Sequence, residues 1–323
     1  MSAAIVFATD EAFAPFAKGL VLSLENSTSK TLLSLCMIDI GCSPATTSWM
    51  KAHGVQVRGF DRNDFYERVD PGYKSYRDAQ FCRPLLPILF PGYGIYVWCD
   101  ADTWIQDIRS INLIASVAAA AAGQMAIVPF IDYSYDFIYN DFAIFVRQAR
   151  SWYANTYNQE VANKFAKRTV LSSGIFGCSA NSPLWSLWRK ELTKLIARPF
   201  DCPVASHLAE QTALNLILYR TGAFVPLEAT HNYNCHVGCA KRNAKTGRVL
   251  INIPPYREIG IVHLSYCSRQ VERYLTEGLF YNSGKYLSPS EITTLRKLGH
   301  HHGDDEKAVP PAETSIAITA ALP

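Results

Sequence analysis

The sequence lacks the long apolar runs that membrane-spanning helices require. Its longest apolar segment, ILFPGYGIYVWC, is interrupted by Pro91, Gly92 and Gly94, whereas a spanning helix needs about 20 predominantly apolar residues. The first residues, MSAAIVFATDEAF, have no basic stretch ahead of a long apolar core, so we expect no secretory signal peptide. These absences predict a cytoplasmic protein that is at most peripheral to the inner face of a membrane.

An excess of one charge is also missing. The chain has 31 Lys and Arg against 28 Asp and Glu, a net charge of +3 over 323 residues. No dense basic stripe appears, so we do not expect a dedicated nucleic-acid binder. The nine cysteines are an odd number without a disulfide-type pattern, which favours small buried residues in a reducing compartment. With 49% apolar residues, the length suits one large α/β domain or two smaller ones.

Strand and helix patterns alternate over the first 130 residues. We predict strands at 3–8, 31–40, 55–60, 95–99 and 125–130, and helices at 12–24, 43–54, 76–89 and 110–123. The second helix has Ser43 as N-cap, Pro44 at its first position and Gly54 at its end. Such alternation predicts an α/β fold with a mostly parallel central sheet flanked by helices.

The pattern changes after residue 130. Residues 131–170 are rich in Tyr, Asn and Asp, so we predict an irregular or helical insertion over one face. Further strands are predicted at 169–179, 223–226 and 260–264, and helices at 181–197 and 206–220. The predicted organisation is one domain at 1–268 with residues 131–170 as insertion or lid, a helical extension at 269–302 and a disordered tail at 303–323.

Two like charges follow the fourth predicted strand. In YVWCDADTWIQD, Asp100 and Asp102 stand one residue apart after a buried run, and each disfavours ionisation of the other. Ligands bind at the carboxyl ends of parallel strands, and Mg²⁺ or Mn²⁺ prefers oxygen ligands while keeping positions for phosphate oxygens. The pair is therefore either a metal and diphosphate site or a solvated turn in which Asp102 caps the next segment.

Several elements resemble, in order, those of the GT-A glycosyltransferases. They are IVFATDEAF, QFCRPLLPILFP, YVWCDADTWIQDI, SSGIFGCSA, AEQTALNLIL and IVHLSY. The resemblance is closest to the retaining family 8, which includes glycogenin and bacterial lipopolysaccharide galactosyl- and glucosyltransferases. It implies a GT-A fold and Mn²⁺- or Mg²⁺-dependent transfer of a sugar, with retention. The donor it implies is a nucleotide-diphosphate sugar, of the UDP type, and the acceptor a glycan or a lipid-linked glycan of the cell envelope.

The resemblance also implies roles for individual residues. It assigns Ala8, Thr9 and Asp10 to the nucleotide, Arg83 to the donor, and Asp100, Ala101 and Asp102 to metal and donor. His263 is implied as the third metal ligand, Ser173 and Gly174 lie beside the sugar, and Glu210 and Gln211 are the catalytic candidates.

Three elements depart from the family pattern. Glu210 and Thr212 stand where the family has two Asp, and Ser172-Ser173-Gly174 replaces Asn-Ala-Gly. Residues 265–269 replace the usual Gly and Lys-Pro-Trp after the histidine. A different donor sugar or nucleotide fits these changes, and so does a catalytically inactive sugar-nucleotide-binding protein.

Each assigned residue also has a structural interpretation. Asp10 suits a helix N-cap, Arg83 an ordinary surface cation, and His263 a satisfied core residue. Glu210 suits an exposed acid in the first turn of a helix, and Gly174 a tight strand crossing.

Other motifs leave further alternatives. His231, Cys235, His236 and Cys239 in HNYNCHVGCAKR are either zinc ligands or part of a loop near an acceptor, with Asn232 or Asn234 as polar contacts. The aromatic residues of 131–170 form a sugar-stacking platform, a lid or a satellite core. Arg269, Arg273 and Lys285 either face an anionic membrane surface or belong to a helix that closes the core.

A haloacid-dehalogenase-type phosphatase also places D-x-D after an apolar strand, with the first Asp as nucleophile. Its motif favours Thr or Val where Trp104 stands, and it lies on the first strand of its domain. Three predicted strands precede Asp100, which argues against this alternative.

Overall fold

The computed structural model describes residues 2–25, 33–139, 142–198, 203–265, 274–275, 278–280 and 288–301. The predicted disordered tail and the basic residues Arg269, Arg273 and Lys285 lie outside these ranges. Within them, no helix has the length and hydropathy needed to cross a bilayer.

A seven-stranded sheet forms the centre of the fold. Its strands are β1 (Ala3–Thr9), β2 (Leu33–Asp39), β3 (Gln56–Gly59), β4 (Ile95–Cys99), β6 (Met125–Pro129), β7 (Leu171–Ser179) and β8 (Phe224–Pro226). They lie in the order β3-β2-β1-β4-β7-β6-β8. All neighbours are parallel except β7, which runs antiparallel to β4 and β6. The predicted α/β fold with a mostly parallel central sheet is confirmed.

Helices flank this sheet. They are α1 (Ala14–Glu25), α2 (Pro44–Ala52), α3 (Asp78–Phe81), α4 (Leu86–Leu89), α5 (Ile108–Ala120), α6 (Asp136–Tyr139), α7 (Phe142–Thr156), α8 (Gln159–Phe165), α9 (Leu184–Ile196), α10 (Pro203–Thr221) and α11 (Pro289–His301). Strand β4 shows why both faces are covered, because all five of its residues are buried. Tyr96 and Trp98 join a core with α9 and α10, whereas Val97 and Cys99 join a second core with α1 and α5. This alternation follows from the two-residue period of a strand.

A smaller sheet lies beside the central one. It consists of β5 (Thr103–Ile105), β12 (Ile261–His263) and β9 (Tyr233–Asn234), in the order β5-β12-β9. A separate hairpin pairs β10 (Ala240–Arg242) with β11 (Val249–Ile251). Of these strands only β12 was predicted, from its apolar residues, whereas the other short strands show no periodic pattern.

Three helix predictions need correction. The helix predicted at 76–89 is broken into α3, α4 and two 3₁₀ turns, since Pro84 and Pro87 cannot donate a backbone hydrogen bond. The helix predicted at 110–123 is α5, which begins at Ile108 and ends at Ala120, because the Asp107 carboxylate accepts from the Arg109 N–H at the N-cap. Helix α10 begins at Pro203, three residues before its predicted start. Residues 131–170 contain α6, α7 and α8, so the helical alternative for this segment holds.

Candidate functional site

A cavity of about 740 Å³ opens where β1 and β4 end. Every residue that the resemblance implied lines it: Ala8, Thr9, Asp10, Arg83, Asp100, Ala101, Asp102, Ser173, Gly174, Glu210, Gln211 and His263. The elements come from distant parts of the chain, and the parallel strands place their carboxyl ends at one edge of the sheet. The structure thus brings all of these residues together in one cavity.

Asp100, Asp102 and His263 form a candidate metal centre. Their nearest ligand atoms all lie within 4.8 Å of one another. His263 Nε2 lies 3.4 Å from Asp102 Oδ1 and 3.9 Å from Asp100 Oδ2. Ligands about 2.1 Å from an octahedral ion lie about 3.0 Å apart when adjacent and about 4.2 Å apart when opposite. The two carboxylates and the imidazole therefore fit a divalent cation such as Mn²⁺ or Mg²⁺.

Both sheets hold these ligands in place. The Asp100 N–H donates to Gly174 O at 2.8 Å, which ties the end of β4 to β7. The Leu264 N–H donates to Asp102 O at 3.1 Å, and Thr103 pairs with His263 across β5 and β12. The backbone of the smaller sheet thus sets the distance between Asp102 and His263.

Asn232 orients the His263 ring. His263 Nδ1 lies 2.8 Å from Asn232 Oδ1, and Asn232 Nδ2 donates to Ser172 Oγ at 3.0 Å. Because an amide oxygen only accepts, this contact makes Nδ1 a donor and turns Nε2 towards the two carboxylates. Burial lowers the pKa of His263, but the carboxylates of Asp102 and Asp100 outweigh it and hold that pKa above its ordinary value. The sequence marked Asn232 only as a possible acceptor contact, because its pairing depends on the topology of the small sheet.

Arg83 is the cation beside Asp100. Its Nη2 donates to Asp100 Oδ1 at 2.5 Å, and its Nη1 donates to Glu210 Oε2 at 2.5 Å and to Ser173 Oγ at 2.9 Å. The guanidinium also lies 5.2 Å from the ring centroid of Trp98. Burial lowers the pKa of Arg83, but the carboxylates of Asp100 and Glu210 outweigh it and raise that pKa. The surface-cation interpretation of Arg83 is wrong, since its side chain is 8% exposed.

Trp98 completes the environment of Asp100. Its indole Nε1 donates to Asp100 Oδ1 at 2.8 Å, the same oxygen that Arg83 contacts. Asp100 Oδ2 is the oxygen that faces His263. Asp100 therefore offers one oxygen to a cation and uses the other for hydrogen bonds. The sequence analysis did not assign Trp98, because an aromatic residue within a buried strand is typical of any core.

Glu210 is buried inside α10 instead of exposed in its first turn. Its side chain is 2% exposed, so the structural interpretation of an exposed acid is wrong. Burial outweighs the attraction of Arg83 and raises the pKa of Glu210 to about 7. Its Oε1 is buried without a hydrogen-bond partner in the described structure. Such an orphaned acceptor is costly unless a ligand supplies a donor.

Gln211 and Asn215 attach α10 to the start of β7. Gln211 Oε1 accepts from the Ser173 N–H at 3.1 Å, so its amide N–H groups remain available to donate. The Asn215 side chain accepts from Leu171 N and donates to Leu171 O, at 2.7 and 2.8 Å. These contacts hold Ser173 and Gly174 against the cavity.

Gly174 is required for space. A Cβ atom at this position would lie 2.5 Å from His263 Cε1 and 2.9 Å from Asp100 Oδ2. The expected close approach therefore exists, and it involves the side chains of two candidate metal ligands.

Asp10 acts as a local cap. Its Oδ1 accepts from the Phe13 N–H at 2.9 Å, ahead of α1. Ala8 and Thr9 lie at the end of β1 and line the same cavity. Because Asp10 is only partly buried, one of its oxygens can cap the helix while the other contacts a ligand.

The zinc alternative finds no support in the geometry. His231 Nδ1 lies 3.0 Å from Ser110 Oγ, and Cys235 Sγ contacts Tyr233 O. Among the described residues, the group that meets metal-binding geometry is Asp100, Asp102 and His263. His236 instead lines the cavity with Asn234.

The fold resembles those of solved glycosyltransferases. An active-site mutant of LgtC matches 90% of this chain and 99% of its own, at 13% identity and a TM-score of 0.54. LgtC described as a galactosyltransferase in complex with donor and acceptor sugar analogs matches 92% of this chain and 95% of its own, at 10% identity and a TM-score of 0.50.

The bifunctional glycosyltransferase WbbM gives a TM-score of 0.58 at 14% identity over 92% of this chain. The match spans 51% of the length of WbbM. No protein-family model and no curated protein matches the sequence. The likenesses establish a GT-A type fold, as the sequence elements predicted, and this fold does not support the haloacid-dehalogenase alternative.

Proposed function

We propose that this protein is a metal-dependent glycosyltransferase that uses a nucleotide-diphosphate sugar, of the UDP type, and a glycan or lipid-linked acceptor. The observation that carries the proposal is the grouping of Asp100, Asp102 and His263 within 4.8 Å in a cavity of a GT-A fold. Two carboxylates and an imidazole leave positions on a divalent cation for diphosphate oxygens.

The two ends of the cavity bind different parts of the donor. Ala8, Thr9 and Asp10 contact the base and ribose, and Asp100, Asp102 and His263 hold the cation. A bound Mn²⁺ or Mg²⁺ supplies a Lewis acid that offsets the charge of the diphosphate. Arg83 orients Asp100, because its guanidinium contacts the carboxylate directly.

Glu210 and Gln211 face the transferred sugar. Glu210 Oε2 is held by Arg83 and Ser173, while Oε1 is unpartnered. We assign Glu210 Oε1 to accept a hydrogen bond from a hydroxyl of the donor sugar. We assign the Gln211 amide to donate a hydrogen bond to the same sugar. A carboxylate paired with arginine is a weak nucleophile, so these groups favour stabilisation of an oxocarbenium-like state with retention over a covalent intermediate.

Calorimetric titration with UDP and with GDP, each with and without Mn²⁺, tests the donor site. We expect one nucleotide to bind only with metal, and an Asp100→Ala/Asp102→Ala variant to lose this binding. Asp64→Ala serves as the control, because Asp64 is an exposed carboxylate that does not line the cavity. No metal-dependent binding of either nucleotide would reject the proposal.

Turnover separates an enzyme from an inactive sugar-nucleotide-binding protein. The inactive binder is a candidate because Ser172, Glu210 and Thr212 depart from the residues of the family pattern. We expect slow hydrolysis of the correct UDP-sugar even without acceptor, and NMR of the released sugar reports the anomer and hence retention. Tight nucleotide binding without any turnover across UDP-sugars would favour the inactive binder.

A further inference from the structure

An aromatic wall forms one side of the cavity. It consists of Phe130 after β6, Phe137 on α6, and Ile144, Phe145 and Trp152 on α7. The rings of Phe137 and Phe145 stack with centroids 4.5 Å apart, Phe130 stacks on Phe137 at 5.5 Å, and Trp152 meets Phe145 edge-on at 6.0 Å. Phe130 and Phe145 also pack on the core beneath them, so the wall is rigid on one side and faces the cavity on the other.

The segment that carries the wall also has exposed apolar side chains. Four of the eight large hydrophobic side chains that are exposed in the described chain lie in this insertion: Ile131, Tyr133, Tyr139 and Ile144. Ile144 lines the cavity and is 43% exposed, so it stands at the mouth. An exposed apolar side chain at the mouth of an apolar cavity is typical of a binding surface.

The metal ligands and the wall belong to the same cavity but differ in chemistry. A sugar needs hydrogen bonds around its perimeter, and the polar side chains that line the cavity on α7 and on the segment from β9 onward are Gln148, Asn234 and His236. Those three groups are few beside the five apolar side chains of the wall. The wall therefore offers a mainly apolar surface in the same cavity as the metal ligands.

We propose that the aromatic wall binds the apolar aglycone of an amphiphilic glycoside acceptor, with the acceptor sugar between the wall and the metal ligands. The inference rests on the proposed function for the identity of the acceptor. Ile144 at the mouth contacts the part of the aglycone farthest from the sugar, and Phe145 and Trp152 contact the part next to it.

Binding of paired alkyl glycosides tests the wall without turnover. Hexyl and methyl β-D-glucopyranoside, and the corresponding galactopyranosides, share a sugar and differ only in chain length. Each is titrated against protein saturated with UDP and Mn²⁺. We expect the hexyl compound of one series to bind at least about tenfold more tightly, because each buried methylene adds to affinity.

Ile144→Ser is the test variant and Leu113→Ser the control. Both residues are exposed to a similar degree, 43% and 40%, but Leu113 lies on α5 and does not line the cavity. We expect Ile144→Ser to reduce the advantage of the hexyl compound about threefold or more, and Leu113→Ser to leave it unchanged. Neither substitution opens the core, so both variants should fold.

The outcomes separate this inference from the proposed function. If UDP binds with Mn²⁺ but hexyl and methyl glycosides bind equally, the aglycone site is rejected and the donor site stands. If the two variants respond alike, the chain-length effect is non-specific and the aglycone site is rejected as well. If UDP does not bind, the proposed function fails before the acceptor arm begins.

A second inference concerns Asn232, which is 3% exposed and whose side chain has hydrogen bonds to His263 and Ser172. The structure assigns Asn232 as a positioning residue that fixes the Nδ1-protonated tautomer of His263 and so aims Nε2 at the cation site. Partners of this kind behind a metal-binding histidine are worth about 10- to 100-fold in metal affinity.

Two measurements test Asn232. In the unsubstituted protein saturated with Mg²⁺, long-range ¹H–¹⁵N spectra should show His263 protonated at Nδ1 alone, with the signal assigned through its loss in His263→Gln. In Mn²⁺ titrations followed by EPR, without nucleotide, Asn232→Leu should lose at least about tenfold in affinity, whereas Asn232→Asp, which keeps the acceptor oxygen, should retain most of it. An Nε2-protonated His263, or equal Mn²⁺ affinity in a folded Asn232→Leu, would overturn the assignment.

Discussion

Gly174→Ala is the sharpest test of how the candidate metal centre is packed. An alanine Cβ would lie 2.5 Å from His263 Cε1, and the imidazole would have to move about 0.9 Å to reach 3.4 Å, where ordinary contacts begin. The Asp100 Oδ2 atom, at 2.9 Å, would have to move about half as far. Functional constellations lose their geometry beyond about 0.5 Å, so both shifts should disturb the ligands.

Gly177 provides the matched control, because it lies on the same strand. A Cβ there would be 2.6 Å from Ile114 Cγ2 and 3.0 Å from Ile114 O, so the added methyl is similarly crowded against α5 instead of the cavity. Overpacking of this kind costs about 1–3 kcal/mol of folding free energy. We expect both variants to be destabilised to that extent in urea unfolding.

Metal affinity should separate the two variants. Gly174→Ala should weaken Mn²⁺ binding at least about tenfold, while Gly177→Ala should bind Mn²⁺ as the unsubstituted protein does. The reasoning is refuted if Gly174→Ala keeps its Mn²⁺ affinity despite lower stability. It is equally refuted if Gly177→Ala loses as much, since the loss would then report distortion of β7.

Three further predictions concern the buried charges. Arg83→Met should destabilise the fold by about 3–5 kcal/mol in urea unfolding, because it leaves Glu210 as an uncompensated buried carboxyl; pairing it with Glu210→Met should recover part of the loss, and simple additivity would contradict this. Since burial raises the pKa of Glu210 from 4.5 to about 7, the folded protein holds this proton to higher pH than the unfolded chain. The protonated carboxyl of Glu210 should therefore stabilise the fold fully below about pH 4.5, and this contribution should disappear by about pH 7. The difference in unfolding free energy between the unsubstituted protein and Glu210→Gln should shrink over that range. A difference that does not change with pH would show that the carboxyl is ionised throughout. Mn²⁺ at 100 times its Kd should stabilise the fold by about 2.7 kcal/mol, an effect that EDTA reverses and that a thermal melt of Asp102→Asn should not show.

The central sheet and the residues that line the cavity could be predicted from the sequence. Strands such as Ile95–Cys99 are long enough for their apolar pattern to predict that they are buried. Asp100 and Asp102 follow this strand directly, at the edge of the sheet where the parallel strands end. The hydrogen-bond partners were harder to predict, because Arg83 reaches Asp100, Ser173 and Glu210 only through the tertiary fold.

The smaller sheet explains most of what the sequence did not reveal. Its strands are two or three residues long, and no periodic signal survives at that length. Asn232 therefore appeared as one polar residue among several in HNYNC, although the turn before β9 places it against His263. The division into a domain at 1–268 and an extension at 269–302 stays a prediction.

The pairing of β5 with β12 also has a consequence for biosynthesis. Asp100 and Asp102 emerge from the ribosome long before His263, and closing so long a loop carries an entropic cost. A nascent chain that has not yet reached residue 263 holds the two carboxylates without the imidazole and without the backbone pairs that fix their spacing. We therefore expect the chain to bind a cation at this site only after residue 263 has paired with β5.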